Sequence, residues 1–225
     1  MISNFFEIFI LALIQGISEF LPVSSSAHLI ITEKIFQLEN QNLIIDVSLH
    51  LGSLLAIIFY FRKDFFNFNK NINFFLKIII ATIPLLPVGY ILTKTGLIHE
   101  LRNIKVIAWT TLLFSFLLYL SDKKKISKKI DKDFSFKNYI LFGLFQVLAL
   151  IPGVSRAGIT ITTGRFLGFN RTESSKISFY LAIPALSVVS LFGIIELSKK
   201  NFEYNLVAFL GIFLSFIFSY LTIKY

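Results

Sequence analysis

The sequence predicts an all-α polytopic membrane protein, an inverted repeat with two re-entrant broken-helix segments. Three observations predict it. Of the 225 residues, 55% are hydrophobic and 16% charged, against about a quarter charged in ordinary soluble domains; the mean hydropathy is +0.75. Several apolar segments approach or exceed the roughly 18 residues that read as a membrane span. Two of those segments are interrupted at matching places by Pro and Ser. Paired interrupted segments mark inverted-repeat membrane folds, whose sites lie where the broken helices meet.

The elements follow in order. Block 5–37 is apolar but broken by Pro22 and the run Ser24-Ser25-Ser26. Block 43–61 ends at Arg62-Lys63, and block 72–92 carries Lys77, Pro84 and Pro87. Block 104–121 stops before a lysine-rich loop. Block 136–168 is broken by Pro152-Gly153 and Ser155, and segments 174–196 and 204–223 form a closing hairpin. No alternation of strand type competes with this reading. The expected organisation is one integral membrane domain, 1–225, with a first repeat of about 1–121 and a second of about 136–225. The lysine-rich loop 122–137 separates them. Pro22-Val-Ser-Ser25-Ser-Ala27 matches Pro152-Gly-Val-Ser155-Arg-Ala157, each preceded by a Gln, Gln15 or Gln146. Each is followed by a segment bearing Ile-Pro, Ile83-Pro84 or Ile183-Pro184.

Charge sets the expected orientation. The net charge is +9, but it lies in loops between apolar segments, so nucleic acid is not the expected partner. Loops 62–71, 122–137 and 165–176 hold three, seven and three Lys/Arg; loops 32–42, 93–103 and 197–203 hold one, two and two. The excess places the first group in the cytoplasm, where the lysines face anionic lipid. Met1 to Phe6 holds no Lys or Arg, so the first apolar stretch is expected to be retained rather than cleaved as a signal. Cysteine is absent, which excludes disulfides and thiolate chemistry. Three histidines, His28, His50 and His99, form no zinc cluster, so a metal would need oxygen ligands.

The chemistry concentrates at the two breaks. The first reads Gln15-Gly-Ile-Ser-Glu19-Phe-Leu-Pro22-Val-Ser24-Ser25-Ser26-Ala-His28. Gln15 and Glu19, four apart, share a helix face. Pro22 removes a backbone donor and ends the helix. The serines then cap a new helix expected to begin near Ala27, whose N-terminus suits phosphate. A carboxylate in an apolar span costs about 2.5–3.5 kcal/mol on insertion scales, which marks Glu19 as a functional candidate. His28 on the first turn can act as base, acid or nucleophile. The second break reads Gln146-Val-Leu-Ala-Leu-Ile-Pro152-Gly153-Val-Ser155-Arg156-Ala-Gly158-Ile-Thr160. Gly153 permits a sharp turn, Ser155 a cap, and Arg156 a planar fork for phosphate. Thr160 shares the Arg156 face. Taken singly, the serines read as a plain cap, Glu19 as a structural pair and Arg156 as a snorkelling side chain. Their grouping at paired breaks points to a site. His50, four residues after Asp46, reads as a structural pair.

At these motifs the sequence resembles the undecaprenyl-diphosphate phosphatase, or bacitracin-resistance protein, family. Leu51-Gly-Ser-Leu-Leu-Ala56 and Ser178-Phe-Tyr-Leu-Ala-Ile-Pro184 extend the likeness over about residues 8 to 223. The resemblance implies hydrolysis of the polyprenyl diphosphate carrier of peptidoglycan synthesis to the monophosphate, and with it bacitracin resistance. It also implies a bacterial inner-membrane location with an outward-opening site, and a divalent cation, Mg²⁺ or Ca²⁺. Glu19 and, more loosely, Gln15 match the acidic, metal-binding motif; Glu19, His28, Ser25 and Arg156 take the catalytic positions. Ser24, Ser26, Gly153, Ser155, Arg156 and Thr160 take the phosphate-binding ones. Nucleophile identity stays open among His28, Ser25 and water. Gln15 replaces a carboxylate of the family pattern, Ala157 a usual Ser and Lys176 a common Glu, and about one further span is expected beyond Tyr225. The expected partners are the lipid substrate and membrane lipids, with an oligomer admitted. The alternative is a transporter or flippase for a lipid phosphate or other anion, with Glu19 and His28 relaying protons.

Overall fold

The computed structural model describes residues 2–36, 43–66, 68–124, 128–197 and 202–225. Residues 125–127 of the lysine-rich loop, and parts of the 32–42, 62–71 and 197–203 loops, lie outside the described residues. The described elements are helices: α1 (Ile2–Ser18), α2 (Ser25–Phe36), α3 (Leu43–Tyr60), α4 (Arg62–Phe66), α5 (Phe68–Thr82), α6 (Leu85–Lys94), α7 (Leu97–Leu101), α8 (Ile104–Asp122), α9 (Ile130–Asp133), α10 (Phe136–Gln146), a 3₁₀ turn (Val147–Leu150), α11 (Arg156–Leu167), α12 (Arg171–Leu197) and α13 (Phe202–Lys224). Among the described residues the only β-type pairing is an isolated bridge between Lys128 and Phe169.

Four helical stretches, Ile72–Lys94, Ile104–Asp122, Arg171–Leu191 and Leu206–Lys224, are long and apolar enough to cross a bilayer. Large apolar side chains stand on their outer faces. Trp109, Leu112, Phe116 and Tyr119 recur every three or four residues along α8 and are all more than half exposed. Water would not tolerate such a stripe, whereas lipid does. The chain is a multi-pass membrane protein of the all-α class.

Both expected breaks are present. α1 ends where Pro22 can no longer donate, and α2 begins at Ser25, two residues before the expected start. The earlier start moves Ser25 and Ser26 out of the cap and into the first turn. Ser24, at φ 62°, stands at the cap position instead. In the second break, Gly153 at φ 94° and Ser155 at φ 65° reverse the chain before α11. Ser155 caps as expected, its hydroxyl accepting from Gly158 N at 3.0 Å.

Contacts divide the chain into two compact units. The first comprises Met1–Phe20, Ser25–Phe66 and Ala185–Tyr225. Leu29 of α2 packs with Ile8, Leu11 and Ala12 of α1 and with Ile45 and Leu49 of α3, so α2 folds back along α1. α13 closes on α1 and α3 through glycines. A Cβ on Gly52 would lie 2.3 Å from the Ile212 carbonyl oxygen, and one on Gly16 would lie 2.4 Å from Phe218 Cβ. Small residues at such contacts let membrane helices approach backbone to backbone.

The second unit comprises Leu21–Ser24 and Asn67–Pro184. Its centre is aromatic: the Phe134 ring lies 5.6 Å from Phe74, 5.9 Å from Phe142 and 6.1 Å from Phe169. Lys77, the charge inside the third apolar block, donates to the Phe134 carbonyl at 3.1 Å. Arg165, buried in the last turn of α11, donates to the carbonyls of Phe169, Asp122 and Lys124. The Asp122 carboxylate also takes Arg171 Nε at 2.8 Å. The α8–α11 end of this unit is therefore clasped by two arginines.

Candidate active site

The first unit holds an acidic cluster. Glu19 lies one residue past α1, its backbone N–H still bonded to the Gln15 carbonyl, so the last turn orients its side chain. The carboxyl is buried, with 7% of the residue exposed. Burying an ionised carboxylate is expensive unless donors converge on it, and here they do. Oε2 accepts from Gln15 Nε2 at 2.9 Å and from Ser25 Oγ at 2.7 Å. His50 Nε2 approaches the same oxygen at 3.6 Å. The expected Gln15–Glu19 face is thus formed, and the two-residue advance of α2 delivers Ser25 to it. Ser26 is half-buried, and His28, on the same first turn, is exposed.

Behind the carboxylate runs a row of hydroxyls. Gln15 Nε2 reaches Ser53 Oγ at 3.4 Å. Ser53 receives Ser219 Oγ at 2.9 Å and meets Ser215 Oγ at 3.2 Å. Gln15 Oε1 is buried with no hydrogen-bond partner.

The second unit holds the basic cluster. The Pro152-Gly153 turn is tied down on three sides. Thr110 Oγ1 donates to the Pro152 carbonyl at 2.7 Å, Thr111 Oγ1 to the Gly153 carbonyl at 3.2 Å, and Gly153 N to Ser24 Oγ at 3.2 Å. Any side chain at 153 would meet Thr110 Oγ1 at 2.1 Å. Ser24 and Ser155 are the only non-glycine residues at positive φ among the described residues. Each immediately precedes a helix. Such strain costs about 1–3 kcal/mol per residue and clusters at functional sites. Arg156, first in α11, sends Nη1 inward to the Ser178 carbonyl at 3.0 Å rather than outward to headgroups. Thr160 is fully buried, and its hydroxyl donates within α11 and toward Ser178 Oγ at 2.8 Å. It shares the Arg156 cluster as a brace beneath the arginine.

The serines revise the register of the internal match. Superposing the breaks by conformation pairs Ser24 with Ser155 and Ser25 with Arg156, one residue from the letter-by-letter match. The acidic unit therefore opens its helix on a hydroxyl, and the basic unit on a guanidinium.

Three contributors escaped the sequence reading. His50 binds the Asp46 backbone carbonyl rather than its carboxylate, through Nδ1 at 2.7 Å, and turns its other nitrogen to Glu19. Ser53 and Ser178 lay inside motif phrases that carried no assigned chemistry. Polar residues at three- and four-residue spacing on an apolar helix were the available signal for the first two.

A divalent cation has a limited donor set here. Among the described residues no three His, Asp or Glu side chains converge, so an all-protein cage is not formed. One carboxylate, Glu19, and the unpartnered buried Oε1 of Gln15 suit a Mg²⁺-type site that completes itself with water and substrate phosphate.

A family model described as "Bacitracin resistance protein BacA" matches residues 8–225. The chain belongs to the BacA family. It is 54% identical over 226 residues to the undecaprenyl-diphosphatase of Pelagibacter ubique (strain HTCC1062), covering 100% of this chain and 88% of that protein. It is 39% identical over 203 residues to the undecaprenyl-diphosphatase of Jannaschia sp. (strain CCS1), covering 84% and 76% of the two chains. For that of Hahella chejuensis (strain KCTC 2396) the identity is 41% over 208 residues, covering 87% and 77%. The BacA-family match covers both breaks and every residue placed above.

Proposed function

We propose that this chain is an undecaprenyl-diphosphatase, cleaving the terminal phosphate from a polyprenyl diphosphate to leave the monophosphate carrier used in peptidoglycan synthesis. The relatives are named for this activity. The observation that carries the chemistry is the 2.7 Å hydrogen bond from Ser25 Oγ to Glu19 Oε2. A hydroxyl donating to a buried carboxylate at that distance fits the roles of nucleophile and base. Transport of a lipid phosphate, the competing expectation, is not favoured by family membership.

In the proposed reaction Ser25 Oγ attacks the terminal phosphorus and its proton passes to Glu19. The bond between that phosphorus and the bridging oxygen breaks, releasing polyprenyl monophosphate. Water then displaces the phosphate from Ser25, with His28, three residues further along α2, accepting the water's proton and Glu19 returning its proton to Ser25 Oγ. Inorganic phosphate leaves. Arg156, braced by Ser178 and Thr160, supplies positive charge to the phosphoryl oxygens as negative charge builds up. Ser24, Ser26, Gly153 and Ser155 shape the two helix starts, whose N–H groups favour anions. Glu19 and Gln15 Oε1 would hold a divalent cation, Mg²⁺ or Ca²⁺, which neutralises diphosphate charge.

The loops richest in lysine are assigned to the cytoplasm of a bacterial inner membrane, with the substrate taken from the outer face; this rests on the charge asymmetry of the loops and the family resemblance. The deciding experiment measures phosphate release by Ser25→Ala and Ser25→Cys. Loss in the first, with a trapped phosphoprotein absent, supports Ser25; near-normal turnover by Ser25→Ala removes it as nucleophile.

A further inference from the structure

Three fully buried hydroxyls take no part in the reaction as written: Ser53 of α3, and Ser215 and Ser219 of α13. Ser215 and Ser219, four apart, share a helix face. Two glycines bring that face close. Gly16 follows Gln15, and Gly52 precedes Ser53. A Cβ on Gly16 would lie 2.8 Å from the Ser219 nitrogen, and one on Gly52 would lie 2.8 Å from Ser215 Cβ. Bare backbone at both places lets α13 approach until its serines reach α3. The hydrogens of the cluster can then be assigned one by one, since a hydroxyl has one hydrogen and two lone pairs. Ser215 gives its hydrogen to the Leu49 carbonyl at 2.7 Å, and Ser219 gives its own to Ser53 Oγ at 2.9 Å. The acceptors for the Ser53 hydrogen are Ser215 Oγ at 3.2 Å and the Leu49 carbonyl at 3.4 Å. Ser53 therefore meets Gln15, 3.4 Å away, with a lone pair, and only a donor suits that place.

The Gln15 carboxamide has two ends alike in shape, so its partners decide which one faces Glu19. Nε2 supplies one hydrogen to Glu19 Oε2 at 2.9 Å and the other to Ser53 Oγ. Oε1 is the end left without a partner. The reversed amide would set Oε1 against a carboxylate oxygen and against a hydroxyl whose hydrogen is already given. We propose, resting on the reading of Glu19 and Ser25 as base and nucleophile, that Ser53 is a positioning residue. Backed by Ser215 and Ser219, it fixes the Gln15 carboxamide with its nitrogen toward the oxygen of Glu19 that Ser25 also meets. The seam between α3 and α13 thereby supports the acidic cluster, although α13 lies outside both motifs. The sequence signal was a pair of serines four apart in an apolar helix, with a glycine beside Gln15 and another beside Ser53.

The test uses the purified full chain in detergent with polyprenyl diphosphate and Mg²⁺. Ser53→Ala removes the acceptor at Gln15; kcat is expected to fall about 3- to 10-fold, the effect of one net hydrogen bond. Where Ser53→Ala does not fold, Ser53→Cys, close in volume but a weak acceptor, takes its place with the same expected loss. Ser219→Ala leaves the contact between Ser53 and Gln15 intact, so it should lower the melting midpoint and keep kcat near that of the wild type. In a Gln15→Leu background, Ser53→Ala should change kcat no further, because no carboxamide is left to orient. A wild-type kcat in Ser53→Ala, an equal loss in Ser219→Ala, or a full additional loss in the Gln15→Leu background would overturn the proposal. A thermal-unfolding cycle of Ser53→Ala with Gln15→Leu reads the contact without turnover. Non-additive melting shifts are expected, and additive ones contradict the contact itself. If the wild-type protein releases no phosphate, the phosphatase reading falls, and the unfolding cycle still decides whether Ser53 holds Gln15.

Discussion

A buried carboxylate is the residue on which this account turns. Glu19 accepts from Gln15 and Ser25 on one oxygen, with His50 Nε2 at 3.6 Å. Arg156→Ala removes a charge that donates to the Ser178 carbonyl; kcat should fall about 10²- to 10³-fold, as for loss of a transition-state donor. Steady-state kinetics on the folded variant checks this, and a near-normal kcat would deny Arg156 its role. Arg156→Lys should recover little, because a point charge cannot reproduce a fork. Glu19, Ser25, Arg156 and the two breaks were legible from the sequence, since each polar type stood out in an apolar stretch. The hydrogen bond between Ser25 and Glu19 was not. It depends on α2 starting at Ser25, and that start is set by Ser24 adopting a positive φ, which no propensity scale assigns to serine. Thr160 was legible as a neighbour of Arg156, but its commitment to Ser178 was not, because the partner lies on a distant helix.

At the scale of elements, the breaks are held by side chains from other helices. Thr110 and Thr111 of α8 receive the strained Pro152-Gly153 turn through its carbonyls. Thr110→Val keeps the shape and removes the donor to a partly buried carbonyl, which should cost about 1–3 kcal/mol. Thermal unfolding measures that cost, and activity should drop with it as the turn relaxes. Close helix packing makes a second prediction. Gly52→Ala forces a methyl group toward the Ile212 carbonyl, 2.3 Å from the ideal Cβ position. Overpacking of that kind costs about 1–3 kcal/mol, so the melting midpoint should fall; an unchanged midpoint would contradict the packing of α3 on α13. Helices and their breaks were readable from Pro and Gly punctuation and from apolar length. The pairing of α3 with α13 was not, since it joins segments far apart in the chain, Leu43–Tyr60 and Phe202–Lys224, through glycines that carry no pattern of their own.

For the whole molecule, the expectation of an all-α multi-pass chain agrees with the helices and their exposed apolar faces. The helix α5–α6 illustrates why length alone served: its Ile83-Pro84 turn interrupts hydrogen bonding without ending the apolar run Ile72–Lys94. Orientation is open to a clean assay because the chain contains no cysteine. Lys129→Cys should react with an impermeant thiol reagent only after the cytoplasmic face is opened, and His99→Cys should react from outside. The reverse pattern would invert the topology.

The most direct test of the central claim is phosphate release from undecaprenyl diphosphate by the purified chain with Mg²⁺, beside Glu19→Ala and beside wild type in excess chelator. The account predicts release by the wild type, its loss on chelation, and its loss in a Glu19→Ala protein that still unfolds cooperatively. Release that persists in folded Glu19→Ala would contradict the assignment of Glu19 as the group that activates Ser25.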